Sequence, residues 1–303
     1  MTSMIVRGIF SVIFIGPLLG LLVWFFWQMR KFKRSARPFS KETSRPPGES
    51  LRREIMALDE KMVECFIWPV FAALVGVGLW FMPQPSPTTE MPPLWKTLVS
   101  ILGIGTVAIA ALWNAARLRE YLERYRNLSL GFDGERHVGQ ALNRQMRRPE
   151  VNCVYHDFVF EHAGKKFNID HVVAGPGGVF VIETKTRRKP LDANQKKQHK
   201  VAYDGARLKF PHGSTEEPIA QAEANARFFQ EWLTGQLGHA ITVTPIIVIP
   251  GWWIDYQNQG RGPAVINDAM IKSYAFHSNN PLEPITLNRI DAALWRENAE
   301  SLN

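Results

Sequence analysis

The sequence predicts a mixed α/β domain, a sheet of antiparallel and parallel strands with helices against it, preceded by a helical membrane module. Three observations lead there. Apolar runs occupy the first third of the chain, at 9–27, 66–82 and 98–113. After Arg117 the pattern changes to short apolar strands separated by turn residues, interleaved with segments of helical period. The order of those elements is helix, three strands, hairpin, helix, strand, which builds a mixed sheet with flanking helices.

The run at 9–27, IFSVIFIGPLLGLLVWFFW, carries no charge. It matches the roughly 20 residues that a membrane span needs. Arg30, Lys31, Lys33, Arg34 and Arg37 follow it, with no small-residue cleavage site, so it reads as an uncleaved first helix. The runs at 66–82 and 98–113 are nearer the lower limit for a span, and a buried helical hairpin is their alternative. The Pro-rich segment between them is a poor helix and a good turn, and Trp27, Trp80, Trp95 and Trp113 fall at run ends, as an interfacial belt requires. Basic residues concentrate at 30–61 and after Trp113. The positive-inside rule then predicts a multi-pass protein of the cell (inner) membrane with a cytoplasmic C-terminal domain. Within 30–61, the stretch Arg37–Glu49 reads as a flexible linker and Leu51–Phe66 as an amphipathic helix. The boundaries expected are a membrane module over 1–113, a helical stalk over 114–130 and a folded domain over 131–303.

Lys plus Arg number 36 against 28 Asp plus Glu, a net charge of +8. The excess suits an anionic partner, although much of it lies beside the apolar runs. Cys65 and Cys153 are too few and too far apart for a disulfide framework or a zinc site.

In the C-terminal part, Asp133 is read as the N-cap of a helix to Met146, with Val138, Leu142 and Met146 on its apolar face. Glu135 shares that inward face; an acid in a first turn can also simply complement the helix dipole. Strands are expected over 151–160, 166–174 and 179–186, the last two joined by the turn Pro176-Gly177-Gly178, in an antiparallel meander. Asp204-Gly205 marks a further hairpin. A helix over 217–233, a strand over 241–249, a short strand over 264–266 and a helix over 287–297 complete the domain. Pro245 places the 241–249 strand at an edge or a bulge.

The chemistry concentrates in the third strand, Val179-Phe180-Val181-Ile182-Glu183-Thr184-Lys185. Period-2 alternation puts Glu183 and Lys185 on one face. Neighbouring strands lie about 4.8 Å apart, so Asp170 of the preceding strand can converge on Glu183. Two carboxylates that close repel, and a divalent cation offsets the repulsion. Magnesium takes a few carboxylates and several waters, and an adjacent lysine suits the charge of a phosphodiester in hydrolysis. The structural alternative is a cross-strand ion pair of Glu183 and Lys185 at a sheet edge, with Asp170 a strand-end acid that has a backbone partner. His171 has the opposite parity to Asp170 and reads as a packing or hydrogen-bonding residue. The Arg187–Lys200 run reads as a solvated loop or as a contact to a phosphate backbone. Trp252 and Trp253 read as core, with stacking against bases as the alternative. No phosphate-binding loop of the P-loop type occurs.

These residues resemble the PD-(D/E)xK nuclease superfamily, and more closely its nuclease-related (NERD) domain. The resemblance runs from Gly131 to Val248. It rests on Gly134-Glu135 with Val138 and Leu142, on Ile169-Asp170-His171-Val172-Val173, on Gly178-Val179-Phe180-Val181-Ile182-Glu183-Thr184-Lys185, and on Pro218 with Gln221. Ile169 stands where the superfamily has its leading proline. The resemblance implies a restriction-endonuclease-like fold, with Asp170, Glu183 and Glu135 as ligands of Mg2+ or Mn2+. It makes Lys185 the catalytic lysine and Gln221 an auxiliary polar residue. The implied activity is hydrolysis of nucleic acid, DNA before RNA, beside the lipid bilayer, alone or within a homo-oligomer or membrane complex. The alternative is an inactive nuclease fold that binds nucleic acid or acts as a scaffold at the membrane.

Overall fold

The computed structural model describes residues 45–81, 93–191, 198–257, 262–277 and 281–301. Two compact units divide the chain. The first comprises Met1–Ser40 and Met56–Tyr125, the second Lys41–Ile55 and Arg126–Asn303.

Two long helices contribute to both units, α1 (Glu49–Phe81) and α2 (Pro93–Gln145). The apolar run at 9–27 lies outside the described residues, as does the Pro-rich segment 82–92. The runs at 66–82 and 98–113 fall in helical backbone, through Phe81 for the first. Among the described residues no helix is long and apolar enough to cross a membrane.

In the second unit the expected hairpins form. Strands β1 (Cys153–His162), β2 (Lys165–Gly175) and β3 (Gly178–Thr184) are an antiparallel meander. The β2–β3 turn is tighter than the sequence suggests, only Pro176 and Gly177 lying outside the strands. A side chain at Gly177 would place its Cβ 1.9 Å from the Phe276 carbonyl oxygen, so glycine is required there for backbone-to-backbone packing. Gly177→Ala is expected to cost about 1–3 kcal/mol through displaced backbone, read as a lower denaturant midpoint at unchanged m-value.

Strands β4 (Lys200–Tyr203), β5 (Leu208–Phe210) and β6 (Gly213–Thr215) follow, then α3 (Glu217–Leu237). Next come β7 (Val243–Val248), β8 (Trp253–Tyr256), β9 (Ala264–Ile266) and α4 (Pro284–Glu300). They make two mixed sheets where the sequence suggests one. The larger has the order β1-β2-β3-β7-β9 and the smaller β6-β5-β4-β8. The smaller sheet closes because β8 pairs in parallel with β4, a long-range pairing that no turn residue announces. The β4–β5 hairpin turns at Asp204-Gly205, where the Asp204 carboxylate accepts the N–H groups of Ala206 and Arg207.

Two expectations fail in this region. Pro245 does not mark an edge strand, since β7 runs between β3 and β9, parallel to both. The β9 pairing begins only at Ile246↔Ala264, so the proline lies before that ladder. Asp133 is not an N-cap either, because α2 runs unbroken through it. No proline interrupts the helix, and Gly134, which suggests a start, serves close packing instead: a Cβ there would lie 1.9 Å from Thr186 Cγ2.

Alternation in β2 and β3 divides the core between the two faces of the larger sheet. Val172, Ala174, Val179 and Val181 pack with Phe229, Leu233, Ile290 and Leu294 of α3 and α4. Val173, Phe180 and Ile182 pack with Val138 and Leu142 of α2. The smaller sheet has its own core around Val201, Leu208, Trp252 and the first turns of α3. Strand β3 is buried throughout, which is what its unbroken apolar sequence requires of a central strand.

Candidate active site

By that alternation Glu183 belongs to the face covered by α3, and His171 and Thr184 to the face covered by α2; Asp170 lies where β2 changes face, since Ile169 and Val172, three residues apart, share the α3-side core. The β2–β3 ladder ends at His171↔Ile182, so Asp170 and Glu183 are neighbours one step beyond the last paired residues. Asp170 caps the ladder there: its Oδ2 accepts the Thr184 N–H at 2.7 Å. On the other flank β3 remains paired to β7 through Thr184↔Val248, and the Lys185 N–H donates to the Val248 carbonyl at 2.9 Å. The strand end is thereby fixed from both sides.

Lys185 reaches from this end toward α3. Its Nζ lies 2.9 Å from Glu183 Oε1 and donates to Gln221 Oε1 at 2.9 Å. Glu183 and Lys185 therefore form an ion pair, but along one central strand rather than across strands at a sheet edge, and it is part of a larger constellation. Asn225, one helical turn beyond Gln221, donates to Glu183 Oε2 at 3.2 Å. Gln221 and Asn225 are i, i+4 neighbours and share a helix face. The sequence reading reaches the first and misses the second, although that spacing is the signal that finds it. The α3 face is aimed by its own ends, with Pro218 in the first turn and Gly238 (φ +77°) closing the helix on the Thr234 carbonyl.

Glu135 arrives from α2, which covers the opposite face. It is 9 % exposed. Burial, then the charges of Asp157 and Glu183, push its carboxyl up to about 8, with Lys185 opposing. Asp170 is held well above the ordinary carboxylate range by burial, then by Glu183 and Glu135, against the Thr184 N–H and Lys185. Burial works against the Lys185 cation, but Glu183, Asp170 and Glu217 outweigh it and its pKa is raised. The four motif residues thus sense one another's charge. They do not form a closed cage: among the described residues no group of three or more His, Cys, Asp or Glu side chains is placed to hold a metal ion.

Two buried polar arrangements flank the site. The β1–β2 ladder runs His156↔His171 and Phe158↔Ile169 but is interrupted between them, where Asp157 faces Asp170 across the strands. Asp157 is wholly buried with φ +45°, a conformation that a non-glycine residue adopts only under constraint. The constraint is visible. Its Oδ2 accepts Arg45 Nε at 2.7 Å and its Oδ1 accepts Asn168 Nδ2 at 3.0 Å. Arg45 also donates to Ser50 Oγ at 3.1 Å, and Pro47 packs against α2 at Gly139. The described part of the expected linker, from Arg45 on, is therefore folded onto this domain rather than loose, because its arginine has a buried carboxylate to meet.

The second arrangement is a chain from Asn143 through His156 to His171. His156 Nε2 lies 2.9 Å from Asn143 Oδ1, and the two Nδ1 atoms are 2.9 Å apart. Burial lowers both histidines, His156 to about 4, so both are neutral. With Asn143 as acceptor, His156 carries its proton on Nε2, His171 Nδ1–H donates to His156 Nδ1, and His171 Nε2 is left an acceptor. That atom is buried without a hydrogen-bond partner among the described residues. His171 therefore packs and hydrogen-bonds on the α2 face, as its parity indicates. Of the tryptophan pair, Trp252 is core and Trp253 is 61 % exposed.

No match was found among curated proteins or among solved structures. Residues 130–250 match the family model of the nuclease-related domain, NERD, and this span contains Glu135, Asp170, Glu183, Lys185 and Gln221. The chain carries a NERD, or nuclease-related, domain.

Proposed function

We propose that the domain is a divalent-metal-dependent phosphodiesterase acting on nucleic acid, DNA before RNA. The observation that carries this reading is the Lys185 ammonium, held by Glu183 and Gln221 at the end of a buried strand beside Asp170 and Glu135. The Glu183 charge adds to burial in raising the proton affinity of both Asp170 and Glu135, and Mg2+ is bound by one or two carboxylates and water rather than by a full protein cage. Asp170 and Glu183 would hold Mg2+ or Mn2+, with Glu135 completing the set. A cation bound there supplies Lewis-acid stabilisation of charge on the phosphate oxygens. Gln221 and Asn225 orient Lys185 and Glu183, Asp170 fixes the strand end through Thr184, and Lys185 offers a cation to the developing charge of the scissile phosphate.

A second reading is a nuclease fold that binds nucleic acid without cutting it. It is favoured by the present pairing of the site, in which Glu183 is engaged by both Lys185 and Asn225. We place either activity at the cytoplasmic face of the cell membrane. The support is the apolar runs at 9–27, 66–82 and 98–113 and the basic residues beside them; a homo-oligomer or a membrane complex is compatible with this placement.

The test uses the full chain in mild detergent, because Arg45 lies outside the C-terminal segment that a conventional truncation would keep. Wild type and Lys185→Ala are incubated with plasmid, single-stranded DNA and RNA, in Mg2+, Mn2+ or EDTA. Cleavage by the wild type that disappears in Lys185→Ala and in EDTA is expected. Equal cleavage by both proteins, or cleavage indifferent to EDTA, overturns the enzyme reading. Salt-sensitive binding without cleavage in any metal supports the second. A reporter fused after Asn303 that reads as periplasmic defeats the topology.

A further inference from the structure

The chain leaving the active-site strand runs directly into a pocket of about 210 Å³, lined by Arg187, Arg188, Lys189, Pro190, Phe210, Pro211, His212 and Trp252. Arg187 is two residues beyond Lys185, at most about 7 Å along the backbone. The floor is aromatic. Phe210 and Trp252 meet edge to face with ring centroids 5.0 Å apart, and the Arg187 guanidinium lies over the Phe210 ring at 4.5 Å. The walls are held in place: Trp252 Nε1–H donates to the Arg187 carbonyl at 3.2 Å. Arg188 is tied back to α2 through Asn127 Oδ1 at 2.9 Å and the Arg126 carbonyl at 2.6 Å. Among the described residues no carboxylate forms an ion pair with Arg187 or Lys189.

Cations around an aromatic floor match one chemical class, an anion that carries a flat ring. A phosphate alone needs no aromatic floor, and an apolar ligand needs no cations. A nucleotide uses both, its phosphate on Arg187 and Lys189 and its base against the Arg187–Phe210 stack, since guanidinium planes and aromatic rings are the surfaces on which unpaired bases stack. A base can enter such a pocket only after leaving a duplex stack. We propose that this pocket is a subsite for an unpaired nucleotide flanking the scissile phosphate, so that the protein favours single-stranded or frayed nucleic acid over intact duplex. The proposal rests on the reading of the neighbouring site as one that receives nucleic acid, and it adds the form of that substrate.

The experiment reads binding, not cleavage, so failure of catalysis and failure of the subsite are separable. The full chain with Lys185→Ala, in detergent and EDTA, is titrated against a fluorescein-labelled 12-mer of thymidylate and a 12-bp duplex by anisotropy at several salt concentrations. Arg187→Ala and Lys189→Ala are expected to weaken the single strand about tenfold, and to reduce the slope of log K against log salt by roughly 0.7 each. Duplex affinity should change by less than about twofold. Arg187→Lys keeps the charge and loses the stack, so it should retain the slope and still lose severalfold in affinity. Equal losses on single strand and duplex, or no loss on the single strand, overturn the proposal. A Lys185→Ala parent that binds the single strand no more tightly than the duplex also overturns it.

Discussion

Arg45→Ala is expected to lower the unfolding free energy of the nuclease-related domain by about 3–5 kcal/mol, the cost of leaving a buried charge without its partner. Asp157 is wholly buried, and Arg45 is 6 % exposed. Removing the guanidinium deprives Asp157 Oδ2 of its donor and leaves only Asn168 on Oδ1. The carboxylate must then be hydrated, protonated or moved, and moving it disturbs the strained backbone that faces Asp170. The effect should therefore reach the site: whatever cleavage or single-strand binding the wild type shows should fall in the variant at temperatures where it is still folded. A double variant, Arg45→Met with Asp157→Asn, separates charge from packing. It removes both charges and preserves most of the volume, so it should recover a large part of the lost stability. If Arg45→Ala melts with the wild type in a denaturant titration, the pair contributes nothing and the N-terminal segment is only resting on the domain.

Much of the candidate site's arrangement is legible because strand alternation holds through β3. Glu183 and Lys185 are placed by parity, Asp170 by the register that the tight turn at Pro176-Gly177 sets, and Gln221 by the helical period of α3. The same parity put His171 on the other face, where it meets His156. What escaped are contacts fixed by tertiary packing. Arg45 and Asp157 are 112 residues apart, and neither lies in a pattern that names the other. Strand β8 has strand-forming residues but only four of them, too few to stand out without the pairing with β4. Asp133 looks like a helix start because Asp and Gly favour one locally. The intact helix prevails because α2 is packed along its length, with Gly134 against Thr186. Pro245 sits inside the sheet for a related reason: a proline forbids one hydrogen bond, and β9 joins β7 only beyond it.

In metal-free buffer the domain should lose stability as pH rises from 6.5 to 8. Glu135 has a folded-state pKa of about 8 against an ordinary 4.5, and Asp170 is shifted in the same direction. A carboxyl whose pKa is raised by folding binds its proton more tightly in the native state. Its stabilising contribution is full below the unfolded value and is lost as pH climbs toward the folded one. The neutral pair His156 and His171 has the opposite sign, since their lowered values remove stability as pH falls below about 6.5. At pH 6.5 the unfolded histidines are still half protonated, and their opposing slope fades over about the next unit, so the carboxylates outweigh them across the window and act without them toward pH 8. Melts in EDTA at half-unit steps should show the decline for the wild type and a flatter profile for Glu135→Gln, whose amide cannot ionise. Mg2+ at millimolar concentration should restore the wild type most at pH 8, where a cation meets ionised carboxylates, and Glu135→Gln less. A wild-type profile that is flat or rising between pH 6.5 and 8 in EDTA would show that these carboxylates do not share the buried field described for them. Mg2+ that fails to restore stability at pH 8 would leave the carboxylates coupled but remove the cation from the site.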